Sequence, residues 1–377
     1  MKDLKLKRYL LIQAIIVICL VITPNKPALC SGGRVSIVHA DGFAVETFPH
    51  YRILSVTEPY PGSPEPEKYV LLDRNAPLPE GMEERDVIRI PVKRCISTTT
   101  VNLAFLKELG VLETLIGQGG KKYVYDPSSF LQSLPEVGTG ADIDLERIVE
   151  LAPDVVFTYA YTRTDVDIVK RLRRMGVKVA VLSEYLEKSP LGRAEWIKFV
   201  SMFFCKAGEA EKIFEDISAK YETLASLGRG FSVKPIVLPN IAYNGVWYIP
   251  GGSNWVARLF EDGGARYPWS GINKAGNLPM DFEEILLKGR DADFWLHPGG
   301  CRSLGDILRV DDRYRLFKAF RTGMVYDHTK RSSPGGGNDY NQRGVLHPEE
   351  ALADIMNIFH SGSLKKRDLM YYEKLKP

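Results

Sequence analysis

The stretch Gly138-Thr-Gly-Ala-Asp-Ile-Asp-Leu-Glu-Arg-Ile-Val-Glu-Leu-Ala-Pro-Asp-Val-Val-Phe-Thr-Tyr159 decides the fold, because the chain carries its like a second time. The second copy runs Gly276-Asn-Leu-Pro-Met-Asp-Phe-Glu-Glu-Ile-Leu-Leu-Lys-Gly-Arg-Asp-Ala-Asp-Phe-Trp-Leu-His297. Each is a polar loop, a short helix opened by an acidic residue, a tight turn and an apolar strand. In the first, Asp144 stands where an N-cap belongs, and Leu145, Ile148, Val149 and Leu151 follow at helical spacing. Asp154 then introduces Val155-Val156-Phe157, a continuous apolar run of the kind buried on both faces of a parallel sheet. Two such units predict two α/β lobes, with a ligand cleft between them.

The chain has 377 residues, enough for two domains, with 45% hydrophobic and 26% charged residues. Fifty basic and 47 acidic side chains leave a net charge of +3, which gives no case for nucleic acid and favours a small molecule or protein partner. Lys2, Lys5, Lys7 and Arg8 precede an apolar run from Leu10 to Val21, the pattern of a secretory signal peptide over residues 1–30. Ala28-Leu-Cys30 places small residues at the −3 and −1 positions of a cleavage site before Ser31. Cleavage and a periplasmic location are expected; Leu29 argues against lipidation at Cys30, because a lipobox carries a small residue there. Cys95, Cys205 and Cys301 are odd in number and widely spaced, so they read as buried free thiols.

Residues 31–84 read as a β-rich leader, with Phe43–Phe48, Tyr51–Val56 and Tyr69–Asp73 as strands around a Pro-rich loop. Residues 85–205 alternate strand and helix as a first α/β lobe, opening on Val87–Pro91 and Cys95–Ser97. Residues 206–230 read as a linking helix, with Ala210, Ile213, Phe214, Ile217, Tyr221 and Leu224 at helical spacing and Gly228 at its end. Residues 231–377 form a second α/β lobe ending in a helix from Pro348 to Phe359. The expected fold is therefore two Rossmann-like lobes joined by a long helix, behind a short β-rich leader.

This layout resembles the substrate-binding proteins of ABC importers for iron complexes and cobalamin. The motifs that carry the resemblance are Arg94-Cys-Ile-Ser-Thr-Thr-Thr100, Leu106 to Gly117, and Asp144-Leu-Glu-Arg-Ile-Val-Glu-Leu-Ala-Pro-Asp-Val-Val156. Trp247-Tyr-Ile-Pro-Gly-Gly-Ser-Asn254 and Lys330-Arg-Ser-Ser-Pro-Gly-Gly-Gly-Asn-Asp-Tyr340 look like a subgroup associated with iron compounds. The resemblance implies a ferric siderophore or cobalamin as the captured ligand and a monomer that docks on a two-fold ABC permease dimer. It also implies that one glutamate per lobe, Glu146 and Glu283, meets the permease, with Glu284 a neighbouring alternative. No cofactor is expected beyond a metal carried in by the ligand.

Ligands of parallel α/β lobes meet the loops after the carboxyl ends of strands. Those loops hold Thr98, Lys121, Lys122, Tyr159, Tyr161 and Tyr185 in the first lobe, and Asn244, Trp247, His297, Lys330, Arg331 and Tyr340 in the second. Aromatics offer flat apolar area with a polar tip for a macrocycle or catecholate, and the cations balance an anionic metal complex. Haem fits less well, because its axial ligand is usually His or Tyr and the first-lobe loops hold no histidine, but Tyr159 or Tyr161 keeps that option open. From the residues alone, an exported chelatase or hydrolase, or a ligand sensor, remains an alternative. Against an enzyme, the chain has no Gly-x-Ser-x-Gly elbow and no His-Glu-x-x-His, and Pro334–Asn338 lacks the ending of a phosphate loop.

Overall fold

A computed structural model describes residues 35–125, 127–361 and 367–377; the expected signal peptide and Cys30 lie outside them. Among the described residues, four sheets build the molecule. The leader forms β1 (Phe43–Thr47), β2 (Tyr51–Val56) and β3 (Glu67–Asp73), antiparallel neighbours in which buried and half-buried residues alternate along β2. The strand β4 (Val87–Ile90), expected in the first lobe, pairs in parallel with β3 instead. Its Val87, Ile88 and Ile90 suit either sheet, so composition could not choose between them.

The first lobe's sheet has the order β6-β5-β7-β8, all parallel, from β5 (Cys95–Ser97), β6 (Leu115–Gln118), β7 (Val155–Thr158) and β8 (Val179–Val181). Crossing helices are α1 (Val101–Glu108), α2 (Leu145–Leu151) and α3 (Arg163–Arg174). As its spacing predicts, α2 starts at Asp144, whose Oδ1 accepts the Arg147 N–H at 2.9 Å.

Two helices then lead across. The first, α4 (Pro190–Phe203), is buried almost all round; the second, α5 (Ala207–Gly230), buries Ala210, Phe214, Ile217, Tyr221 and Ala225 along one stripe. At 24 residues, α5 spans about 36 Å, a stiff connector. Its Gly228 lies against the Asp262 carbonyl, where a Cβ would collide.

The second lobe's sheet has the order β15-β14-β13-β9, from β9 (Val237–Pro239), β13 (Phe294–Leu296), β14 (Val325–Asp327) and β15 (Glu373–Lys374). A side sheet holds β10 (Ala242–Tyr243), β11 (Val246–Pro250) and β12 (Asn277–Met280). Its helices include α6 (Trp255–Asp262), α7 (Phe282–Gly289), α8 (Asp339–Gln342) and α9 (Pro348–Phe359). In the second repeat unit, Asp281 caps α7 by accepting the Glu284 N–H at 2.8 Å. Both units deliver an inner strand, β7 or β13, flanked by parallel partners. The duplication is therefore structural.

Cys95 is a buried free thiol, pushed up to about 12 by burial, and Cys301 is free. Cys205 departs from the expectation: it is disulfide-bonded.

Candidate functional site

The lobes meet where loops after β6 face loops after β14. The glycine run 335–337 lies flat on the first lobe: a Cβ at Gly335 would strike the Lys122 carbonyl, and one at Gly337 the Tyr123 carbonyl. Close backbone approach is thus what this run provides. Beside it, the Tyr125 N–H donates to Gln342 Oε1 at 3.1 Å, and the Arg331 guanidinium lies 4.9 Å from the Tyr125 ring centroid. Arg331 Nε also donates to Asp339 Oδ2 at 2.7 Å.

Behind these contacts lies a cavity of about 330 Å³, walled by both lobes. Leu103, Leu112 and Leu131 give it an apolar first-lobe side, and Arg331, Gln342 and Arg343 a polar second-lobe side. An apolar wall facing a few convergent polar groups is the usual make-up of a ligand site, and this volume is near the lower end for one. Glu108 closes one edge. Its carboxylate accepts from Arg343 Nη1 at 3.0 Å and lies 3.3 Å from His347 Nε2. Arg343 also holds Glu350 through two nitrogens, and His347 Nδ1 lies 3.0 Å from Glu349. Burial alone would lower the His347 pKa, but hydrogen bonds to Glu108 and Glu349 raise it to about 9. Hydrogen bonding from His347, against some burial, holds Glu108 down at about 2. Among the described residues, His347, Glu349 and Glu350 form a group whose ligand atoms lie within 4.8 Å of one another. All three already hold protein partners, and of them His347 reaches across to Glu108 on the first lobe.

The other expected ligand residues are dispersed. Thr98 is buried, with Oγ1 2.7 Å from Thr158 Oγ1, and serves its own loop. Lys121 donates to the Gln132 and Leu134 carbonyls at 2.6 Å each, and Lys122 lies over the Tyr123 ring. Tyr159, Tyr161 and Tyr185 gather at the first lobe's rim, where Tyr161 meets Tyr185 edge-on and the Tyr185 hydroxyl donates to the Ala160 carbonyl. Burial raises the pKa of both Tyr159 and Tyr185, so both stay neutral phenols. Asn244 is exposed in the β10–β11 turn at φ +50°, beside a smaller cavity shared with Phe282 and Arg313. Lys330 donates to the Leu369 carbonyl.

Trp247 borders the same smaller cavity as Asn244 but is only 1% exposed. It is buried in the second lobe, stacked on Trp295 at 5.6 Å, with its indole N–H on the Pro239 carbonyl. His297 is likewise buried, 2.7 Å from the Tyr372 hydroxyl, and burial with its neighbour His328 lowers it to about 3. It is a neutral packing residue. Tyr340 is also buried, on the face of α8 turned from the large cavity. Of the twelve expected ligand residues, Arg331 lines that cavity. Tyr125 lies on the loop that carries Lys121 and Lys122, whereas nothing in sequence marks Glu108 as meeting Arg343.

Glu146 and Glu283 are both exposed in the first turns of α2 and α7, one on each lobe. Glu283 lies 3.5 Å from Arg313 Nη1, while Glu284 completes the capping box with Asp281.

A family model described as periplasmic binding protein matches residues 96–331, well over half of the chain. An uncharacterised lipoprotein of Methanocaldococcus jannaschii is 26% identical over 327 residues, 82% of this chain and 76% of the relative. A periplasmic heme-binding protein of Pseudomonas aeruginosa superposes with a TM-score of 0.58 at 17% identity, covering 76% of this chain and 99% of that one. A possible iron-binding, periplasmic solute-binding protein of Staphylococcus epidermidis gives 0.57 at 15% identity, with 72% and 99% covered. The chain belongs to the periplasmic binding protein family, whose members bind ligands for ABC transport outside the cytoplasm and are not enzymes.

Proposed function

We propose that this member of the family captures a metal-bearing organic complex between its lobes, a ferric siderophore or cobalamin foremost, and hands it to an ABC permease dimer. The carrying observation is the cavity of about 330 Å³ walled by both lobes, with Arg331 and Arg343 on one side and leucines on the other. It admits part of a complex, such as a coordinating arm; a whole macrocycle requires some opening of the lobes. The likeness in fold to heme-binding and iron-binding proteins supports the ligand class. Glu146 and Glu283, exposed on equivalent helices of the two repeats, supply like charges for a two-fold partner. The protein acts as an exported monomer; signal cleavage after Cys30 and a lipid anchor at Cys30, as the lipoprotein relative suggests, are the alternatives that an intact mass decides.

The test is native mass spectrometry, with an absorbance scan, of protein purified from its own host. One metal-bearing organic adduct per chain is expected, and Arg331→Ala should weaken its binding about tenfold, or 1.4 kcal/mol. An adduct without metal, or one bound equally well by Arg331→Ala, overturns this reading.

A further inference from the structure

The charges buried on and just before α4 are engaged almost without exception. Glu187 accepts the Asp41 and Gly42 N–H groups and the Trp196 indole. Glu195 accepts three leader N–H groups, and Lys198 binds Ser36, Glu195 and Glu211. Arg193 is the exception. Its side chain is 11% exposed, its nearest carboxylate, Glu184, stands 4.0 Å away, and its buried Nε has no hydrogen-bond partner. Its guanidinium lies 4.1 Å from the ring centroid of Trp255, which belongs to the second lobe. Burial lowers its pKa, as expected of a cation short of counter-charge.

A second buried donor lines the same place. The Tyr340 hydroxyl is buried without a well-formed hydrogen bond; the Tyr372 hydroxyl beside it lies 2.7 Å from His297 Nε2 and gives Tyr340 at most a weak contact. Arg193 and Tyr340 both line a cavity of about 20 Å³ at the junction of α4, α6 and α8. Buried donors without a well-formed partner are rare in native proteins and costly, so two such residues lining one cavity favour an acceptor in it. The volume suits one oxygen atom.

We infer that this seam is an anion point, where Arg193 Nε and the Tyr340 hydroxyl donate to a single oxygen of a carboxylate or similar oxyanion. The oxygen comes from an arm of the captured solute or from a free small anion. The first source rests on the reading of a solute-binding protein; the anion chemistry stands without it.

Acetate is the probe, titrated into the full exported chain in halide-free buffer while Trp fluorescence is followed, with Trp255→Phe assigning the signal. A saturable response is expected, weakened about tenfold or more in Arg193→Gln and about threefold in Tyr340→Phe. Because Arg193→Gln leaves Glu184 unpaired, the double variant Glu184→Gln/Arg193→Gln serves as the folded control. A parent without saturable response, where the cavity takes water only, overturns the proposal. So does a folded double variant that binds acetate as the parent does. Native mass spectrometry then separates the sources: loss of the copurified solute from the double variant assigns the oxygen to the solute, and its retention alongside lost acetate binding assigns a free anion. Neither result bears on the Arg331 test of the large cavity.

Discussion

Glu108 on the first lobe and Arg343 on the second form an ion pair at 3.0 Å across the seam that walls the large cavity. His347 joins the same carboxylate from the second lobe. Each group stands about one-third exposed or less, so the pair is neither a solvated surface contact nor a fully desolvated one. It ties the two lobes together directly, apart from the α4–α5 connection.

That linkage gives a pH signature. His347 is raised from 6.5 to about 9, so its contribution is complete below 6.5 and disappears as pH climbs through 9. Glu108 is lowered from 4.5 to about 2, so its contribution is complete above 4.5 and disappears as pH falls through 2. The crosslink is therefore strongest between pH 4.5 and 6.5. Glu108→Gln should destabilise by about 1–2 kcal/mol in that window and by less on either side. Urea midpoints of parent and variant from pH 3 to 10 measure it; a pH-independent gap would remove the electrostatic explanation.

Trp247→Ala should act on the fold, not on the ligand. The ring packs on Trp295, Tyr314 and Phe317, so truncation should cost about 3–5 kcal/mol. Ligand affinity of the folded fraction should change less than about threefold. Urea unfolding and a ligand titration on the same sample decide between core and cleft.

The parts legible in sequence were those governed by local rules. Asp144 and Asp281 announced helix starts, and the apolar runs at 155–157 and 294–296 announced inner strands. Long-range choices were not legible: Val87–Ile90 carries no mark of which sheet it joins, and Glu108 none of its partner more than two hundred residues on. Trp247 was misplaced for a reason the sequence does contain. Neighbours on a strand face opposite ways, and Trp247 points in while Tyr248 is 44% exposed. One of the two had to leave the surface.

Charge reversal at the two exposed helix starts should separate docking from binding. Glu146→Arg and Glu283→Arg should each lower stimulation of the cognate transporter about fivefold while solute affinity stays constant, since such changes alter encounter more than fold. Glu283 gives up its exposed contact with Arg313, worth well under about 1 kcal/mol. A reconstituted transporter assay reads the effect. Full stimulation by the double variant would show that the permease reads another surface.

The leader's attachment rests on Glu195. This carboxylate is fully buried in α4, and it accepts the N–H groups of Val38, His39 and Ala40 while pairing with Lys198 Nζ at 2.9 Å. Four donors around one carboxylate mean that an amide there would turn its own NH2 toward a donor. Glu195→Ala strands the three N–H groups and removes one of the two carboxylates beside Lys198, a change expected to cost about 3–5 kcal/mol. Glu195→Gln keeps one acceptor oxygen and should cost less, about 1–3 kcal/mol. The loss should be local first, because Glu187 still holds Asp41 and Gly42. Protease cleavage between residues 36 and 40 should therefore appear at urea concentrations below the global midpoint in Glu195→Ala and not in the parent. If cleavage there is unchanged and the midpoints coincide, the hydrogen bonds to Glu195 do not anchor the leader, and its packing through Phe43 against Trp196 and Phe199 must.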